Sequence, residues 1–233
     1  MDIRINSFTN FQSKAYPVQP FIIKTKHGRL KVSEVTGKDL KRENFILNLT
    51  KFFCKNFASG TKDPNWKIFL NKKNINYQTA LRDFMNYYNA KVKNNDENMT
   101  LLIAKDKRNK IQGACLSYGY DKIPDAKETT CYIDSIAVNP MYRGFNLGKI
   151  LIERTLESAK NKFTDAFLTG DRSAYKFYTN LGFSPLKIDD ERQLGIINYL
   201  SRRRSDYPRY VELFTRPLQD SEERWYNKID INE

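Results

Sequence analysis

One stretch constrains this chain more than any other: TCYIDSIAVNPMYRGFNLGKILIERTLESAK, residues 130–160. Thr130 to Val138, TCYIDSIAV, reads as a strand. From Leu147 the apolar residues Ile150, Leu151, Leu156 and Ala159 recur at helical spacing. The loop NPMYRGFNL joins the two, and a short buried strand, DAFLTG (165–170), comes after the helix. Residues 130–170 therefore read as strand, turn, helix, strand. That is a right-handed crossover with a glycine-bearing turn at the C-terminal end of its first strand.

Such a turn has a chemistry of its own. A helix N-terminus presents unpaired backbone N–H groups and about half a unit of positive charge. It is an anion site, and a diphosphate fits it. Gly144 and Gly148 leave room for a phosphate oxygen to approach the backbone, and Arg143 and Lys149 add charge at either end. Glycines near a helix start are also ordinary turn residues. The stretch is not a P-loop, because Ile150 follows Lys149 where serine or threonine is required, and it is not GxGxxG.

The rest of the chain supplies a sheet and its cover. Residues 1–28 are polar with Pro17 and Pro20, read as an irregular arm with a short strand at PFIIKT. RLKVSEVT (29–36) alternates as a strand, and a helix is expected over 38–57, where Phe45, Ile46, Leu49, Phe52 and Phe53 share a face. SGTKDPN (59–65) breaks the chain, and a second helix is strongest over 77–92, striped by Tyr77, Leu81, Phe84, Met85, Tyr88 and Val92. MTLLIAKD, KIQGACLSYGY and TCYIDSIAV then predict three strands with tight connections, hence an antiparallel sheet. After the crossover come a short helix at 173–182 and strands at 183–187 and 209–218. The expectation is an α/β (α+β) fold with a mixed, mostly antiparallel sheet flanked by helices. Its domain spans 29–218, with the arm before it and a tail at 219–233 holding Trp225 and Tyr226.

Composition narrows the setting. No apolar run is long enough to cross a membrane, and MDIRINSFTNFQ lacks the apolar stretch of a secretory signal. Cys54, Cys115 and Cys131 have no metal-ligand spacing, and an odd count argues against a disulfide framework. A reduced, cytoplasmic protein without metal is expected. His27, the single histidine, reads as a turn residue. The net charge of +13 would draw anions, whether nucleotide phosphates, nucleic acid or an acidic protein, and is equally what a lysine-rich solvated surface would carry.

IDSIAVNPMYRGFNLGKILIERTL resembles the acetyl-CoA-binding core of the GNAT superfamily of N-acetyltransferases: a strand ending in V-x-P, then [R/Q]-x-x-G-x-[G/A], then a helix. DRSAYKFYTNLGF (171–183) independently resembles that family's N-x-x-A-x-x-F-Y-x-x-x-G-F segment. The close match covers about residues 131–187, and the element order extends it more loosely over 29–218. The resemblance implies an acetyl transfer from acetyl-CoA, as cosubstrate, to an amine by direct attack in a ternary complex. It implies that the amides of Arg143, Gly144, Phe145, Asn146, Leu147, Gly148 and Lys149 hold the pyrophosphate. The main chain of Ile136, Ala137 and Val138 would pair with the pantetheine arm, and Asp171 and Ala174 of the second motif would also bind the coenzyme. A bulge would splay the fourth strand of the family's sheet from the fifth, DAFLTG, and open a slot for the thioester. Tyr178 matches the tyrosine that often protonates the departing thiolate, and this role is favoured over that of a core tyrosine. Asp134, which by alternation shares a face with Tyr132, Ile136 and Val138, is the candidate acceptor of the amine's proton, or else a structural carboxylate.

Two positions depart from the family pattern. Asn146 stands where a glycine is usual, and asparagine is the side chain most tolerant of positive φ. Asp171 stands where asparagine is usual, and a carboxylate cannot donate a hydrogen bond. These changes keep open a non-catalytic module that binds an acyl-CoA or a partner. On the acceptor side the resemblance implies segments 38–98 and 188–208, both long. A protein or peptide amine is favoured over a small molecule. Arg202, Arg203 and Arg204, with flanking tyrosines, keep open aminoacyl-tRNA, as in the family's toxin branch.

Overall fold

The computed structural model describes residues 18–40, 42, 44–60, 64–93, 98–120, 130–186 and 211–219. The whole segment 188–208, with Arg202–Arg204, lies outside the described residues, as do Trp225 and Tyr226.

The chain opens with a hairpin, β1 (Phe21–Thr25) and β2 (Gly28–Glu34), so the strand expected within the arm joins the main sheet. Where one helix was expected, two form: α1 (Gly37–Leu40) and α2 (Phe45–Ala58). Asp39 Oδ2 accepts from the Thr36 N–H at 3.1 Å and starts the first. Asn44, at φ 59, separates them, because a left-handed residue cannot continue a right-handed helix. A 3₁₀ segment at Pro64–Leu70, not foreseen from the sequence, leads to α3 (Tyr77–Lys93). Then come β3 (Thr100–Lys105), β4 (Ile111–Gly119), β5 (Thr130–Val138) and α4 (Leu147–Ala159). β6 (Asp165–Asp171), the short α5 (Tyr175–Thr179), β7 (Ser184–Pro185) and β8 (Val211–Pro217) complete the described part.

The eight strands form one sheet in the order β1-β2-β3-β4-β5-β6-β8-β7. Every neighbouring pair is antiparallel except β5 and β6, which the α4 crossover makes parallel. One face packs Leu102, Cys115, Ile133, Leu151, Ile152, Tyr178 and Phe214 beneath α4 and α5. The other packs Phe53, Tyr88, Leu101, Ile103, Ala114 and Leu116 beneath α2 and α3. Trp66 and Phe69 of the 3₁₀ segment fill the outer seam between α2 and α3, which is why that segment is ordered by aromatic contact rather than by helical pattern.

Two features of β5 open the sheet. Leu116 pairs with Ser135 while Ser117 pairs with Ile133, so Asp134 is the extra residue of a β-bulge. The parallel pairing with β6 runs Thr130–Asp165, Cys131–Ala166 and Tyr132–Phe167, then stops, though β5 continues to Val138. Beyond Tyr132 the two strands separate while β6 stays paired with β8 through Asp171. The expected splay lies here, and the bulge sits at its mouth.

Candidate active site

The bulge corrects one expectation. Simple alternation would put Asp134 on the face of Ile136 and Val138. Instead Ile133, Ile136 and Val138 pack on the α4 side, whereas Tyr132 and Ala137 pack on the α3 side. Asp134 and its neighbour Ser135 both turn toward α3, where Tyr87 and Tyr88 meet them. An extra residue shifts the phase of every side chain after it, which a period of two cannot anticipate.

On the open edge the backbone can be assigned. The Asn139 N–H donates to Gln112 O at 2.9 Å, which makes that pair a hydrogen-bonded one in the ladder. Bonded and non-bonded pairs alternate, and Val138 opposes Gly113, Ala137 opposes Ala114 and Ile136 opposes Cys115. Ala137 therefore spends its main-chain groups on β4, and Ile136 and Val138 turn theirs to the slot. Arg143 Nε donates to the Val138 carbonyl at 3.2 Å, as an outward carbonyl allows. Of the three residues expected to pair with an extended ligand, the ladder leaves two available.

The turn that follows is braced from below. Asn139 Oδ1 accepts from the Met141 N–H at 3.1 Å, and its Nδ2 donates to Gln112 Oε1 at 2.7 Å. Gly144 has φ 78 with nothing within 4 Å of a notional Cβ, so conformation rather than crowding demands glycine there. Asn146 is the N-cap of α4 at φ 58, the left-handed geometry asparagine tolerates, and its side chain makes no capping bond. The amides of Leu147, Gly148 and Lys149 have no intrahelical acceptor by position and no cap from Asn146, so they are directed out of the helix end. At Gly148 a Cβ would come within 3.3 Å of Phe177 Cζ and 3.5 Å of Val138 Cγ2, which keeps α5 close to the turn. Lys149 Nζ lies 3.7 Å from Glu153, and both are exposed.

A contact that sequence reasoning missed covers the other side of this turn. The tip of the β1–β2 hairpin reaches it: His27 meets Tyr142 and Phe145 edge-on at 5.5 and 5.7 Å, and Lys26 Nζ lies 5.2 Å from the Phe145 ring centre. His27 is a turn residue, as expected, and the separation in sequence hides its neighbours.

The second motif sits on the α4 face. Asp171 Oδ1 accepts from the Ser173 N–H at 2.8 Å and caps the 3₁₀ turn Arg172–Ala174, a role that needs only an acceptor. Ala174 is half-buried against the core. Tyr178 lies buried beside Phe214, ring centres 5.2 Å apart. Its ring covers Gly170, where a Cβ would stand only 2.5 Å from Tyr178 Cε2. Burial raises the phenol well above its ordinary range, and the Cys115 thiol and Asp171 add to the rise, so it stays protonated at neutral pH.

On the opposite face Asp134 is the centre of a hydroxyl network. Oδ1 accepts from Tyr118 at 2.9 Å and from Tyr87, and Oδ2 accepts from Ser135 Oγ at 2.7 Å. Tyr88 and Ser135 share a bond of 2.9 Å. Burial first, then the Asp134 charge, pushes the phenols of Tyr87, Tyr88 and Tyr118 far up, so all three remain neutral donors. Tyr87, Tyr118 and Ser135 were not foreseen. Tyr87 falls outside the apolar stripe of its helix, which was the one available sign that it serves something other than the core.

Burial pushes the thiols of Cys54, Cys115 and Cys131 up to about 12, so none supplies a thiolate near neutral pH. Among the described residues no group of three or more His, Cys, Asp or Glu could hold a metal ion, and no helix is long and apolar enough to cross a membrane.

Comparisons with known proteins bear on the family and the fold. The profile of the acetyltransferase (GNAT) family matches residues 66–183, just over half of the chain. No curated protein matches by sequence. Among solved structures, a GNAT-family acetyltransferase from Staphylococcus aureus Mu50 is 16% identical with a TM-score of 0.51, over 82% of this chain and 99% of that one. A protein from Pyrococcus horikoshii OT3 is 12% identical with a TM-score of 0.55, over the same shares. The PaiA N-acetyltransferase from Thermoplasma acidophilum, solved with coenzyme A, is 12% identical with a TM-score of 0.50, over 81% of this chain and 98% of that one. At these identities the likeness is one of fold.

Proposed function

The chain belongs to the acetyltransferase (GNAT) family, and from that premise we propose that it transfers an acetyl group from acetyl-CoA to a primary amine, by direct attack in a ternary complex. The observation that carries this is the open edge of β5: it ends at the uncapped amides of α4, with Tyr178 on one face of the sheet and Asp134 on the other. The amides of Leu147, Gly148 and Lys149 suit a diphosphate, with Arg143 and Lys149 adding charge. The outward main-chain groups of Ile136 and Val138 suit an amide-bearing arm running along the strand.

Bound acetyl-CoA supplies the activated thioester. Asp134 takes the proton from the incoming ammonium, and its face of the sheet is the side from which the amine arrives. Tyr178 donates its phenolic proton to the sulfur that leaves on the other side. The raised thiols argue against an acyl-cysteine route. The left-handed geometry of Asn146 supports a turn that has kept its shape, which favours a working coenzyme site over a non-catalytic module. The acceptor we propose is an amine of a protein or peptide, because the long stretch carrying α2 and α3 covers the amine side.

Titration calorimetry with acetyl-CoA and with free CoA tests the reading, on wild type, Gly148→Glu and Arg143→Ala. Micromolar binding to wild type that Gly148→Glu abolishes and Arg143→Ala weakens by roughly tenfold is expected, the latter for loss of one charge-assisted contact. Wild type that binds neither ligand would overturn it.

A further inference from the structure

The bulged carboxylate is held by more than its own strand. Its Oδ1 receives two phenols, from Tyr118 of β4 and Tyr87 of α3, and its Oδ2 receives Ser135, which Tyr88 of α3 in turn engages. The two phenol oxygens lie 3.3 Å apart. A carboxylate offers about four lone-pair positions, and three are occupied by fixed donors. The remaining one defines a single direction from which a proton can be taken.

Of these donors Tyr87 stands apart. Tyr118 and Ser135 belong to the strands that make the bulge, while Tyr87 belongs to a helix that could shift against the sheet. It is also the most open of the phenols, 38% exposed against 9% for Tyr118. Four residues on, one turn further along α3, Lys91 Nζ lies 4.2 Å from the centre of the Tyr118 ring and holds that ring by cation–π attraction. From one helix, then, Tyr87 reaches the carboxylate and Lys91 seats its second donor.

We propose that Tyr87 is a positioning residue for Asp134, orienting the carboxylate toward the incoming amine and tying proton acceptance to the seating of α3. This rests on the reading of Asp134 as proton acceptor. The groups that face it are Tyr87, Tyr88 and Lys91 from α3, Tyr118 from β4, Tyr132 and Ser135 from β5, and, through Tyr88, Cys54 of α2, while the Cys115 thiol of β4 lies on the opposite face of the sheet. Lys91 is the cation among them and touches the ring of Tyr118 rather than the carboxylate. Loss of the Tyr87 hydroxyl therefore frees Oδ1 from the donor that α3 supplies and leaves the carboxylate less fixed in direction.

A double-mutant cycle on acetylation of a lysine-bearing peptide tests this, with Tyr87→Phe, Asp134→Asn and the double variant. Tyr87→Phe should lower kcat roughly tenfold or more, the loss expected for one hydrogen bond to a charged group, while KM for acetyl-CoA stays put. In the Asp134→Asn background the same substitution should cost nothing further in kcat. An unchanged kcat in Tyr87→Phe, or a full roughly tenfold loss added on top of Asp134→Asn, would overturn the proposal. If Asp134→Asn acetylates the peptide at the wild-type rate, the role of Asp134 itself fails, whatever Tyr87→Phe does.

Discussion

The two sides of the slot are built in opposite ways. The side proposed for the coenzyme is one continuous turn, residues 139–149, whose shape is set by neighbours in sequence: Asn139 bracing Met141, Gly144 and Asn146 at positive φ, and the first amides of α4. The side proposed for the acceptor is assembled from α3, β4 and β5, with Tyr87 and Asp134 forty-seven positions apart. A local turn survives most changes elsewhere in the molecule. An assembled network depends on every packing contact that seats its parts.

Alkali should expose this difference most strongly. The phenols of Tyr87, Tyr88 and Tyr118 are raised from 10.0, and the three thiols from 9.0 up to about 12. A group whose folded pKa is raised contributes stability that is complete below its unfolded pKa and is lost as pH climbs toward the folded value. The melting temperature should thus hold level up to about pH 9 and fall steeply above it, with several groups adding to the slope. A melt series from pH 7 to 11 measures it. A flat profile to pH 11 would mean that Tyr88, Tyr118 and the three thiols are not buried as described.

A mutation can separate the sides more cleanly. Phe53 of α2 is fully buried and stacks on Tyr88 with ring centres 5.1 Å apart. Phe53→Ala should cost about 3–5 kcal/mol in urea unfolding and loosen α3 on the sheet. Under conditions where the variant remains folded, acetyl-CoA affinity should persist while turnover falls. Equal loss of both would show that the sides are one cooperative unit, and the contrast drawn above would fail.

The same contrast explains what could be read before the structure was known. The crossover, the sheet and the turn follow from patterns of adjacent residues, and the structure has each of those elements where the patterns put them. The helix expected over 38–57 breaks because Asn44 adopts positive φ, and asparagine does not announce which of its conformations it takes. Asp134 was legible as an acidic residue on the strand before the turn. Its facing was not, because a bulge is a property of the pairing of β5 with β4 and leaves no mark on either strand alone. Tyr87, Tyr118 and the Lys26–His27 tip were hidden for the same reason: their partners are distant in the chain.

The smallest effect tests the local side by itself. Asn146 holds φ 58 and makes no side-chain cap, so its backbone conformation is what the turn requires of it. Replacing it with alanine forces a Cβ without asparagine's tolerance into the left-handed region, a cost of about 1–2 kcal/mol. Replacing it with glycine removes that steric cost and any crowding of the helix end by the side chain. Asn146→Ala should therefore lower the melting temperature and weaken acetyl-CoA binding, whereas Asn146→Gly should keep stability near that of the wild type and bind acetyl-CoA at least as well. Both are read by thermal melts and calorimetry on the same preparations. If Asn146→Gly bound more weakly than the wild type, the asparagine amide would have to touch the ligand directly, and the turn would recognise it through a side chain as well as through its backbone.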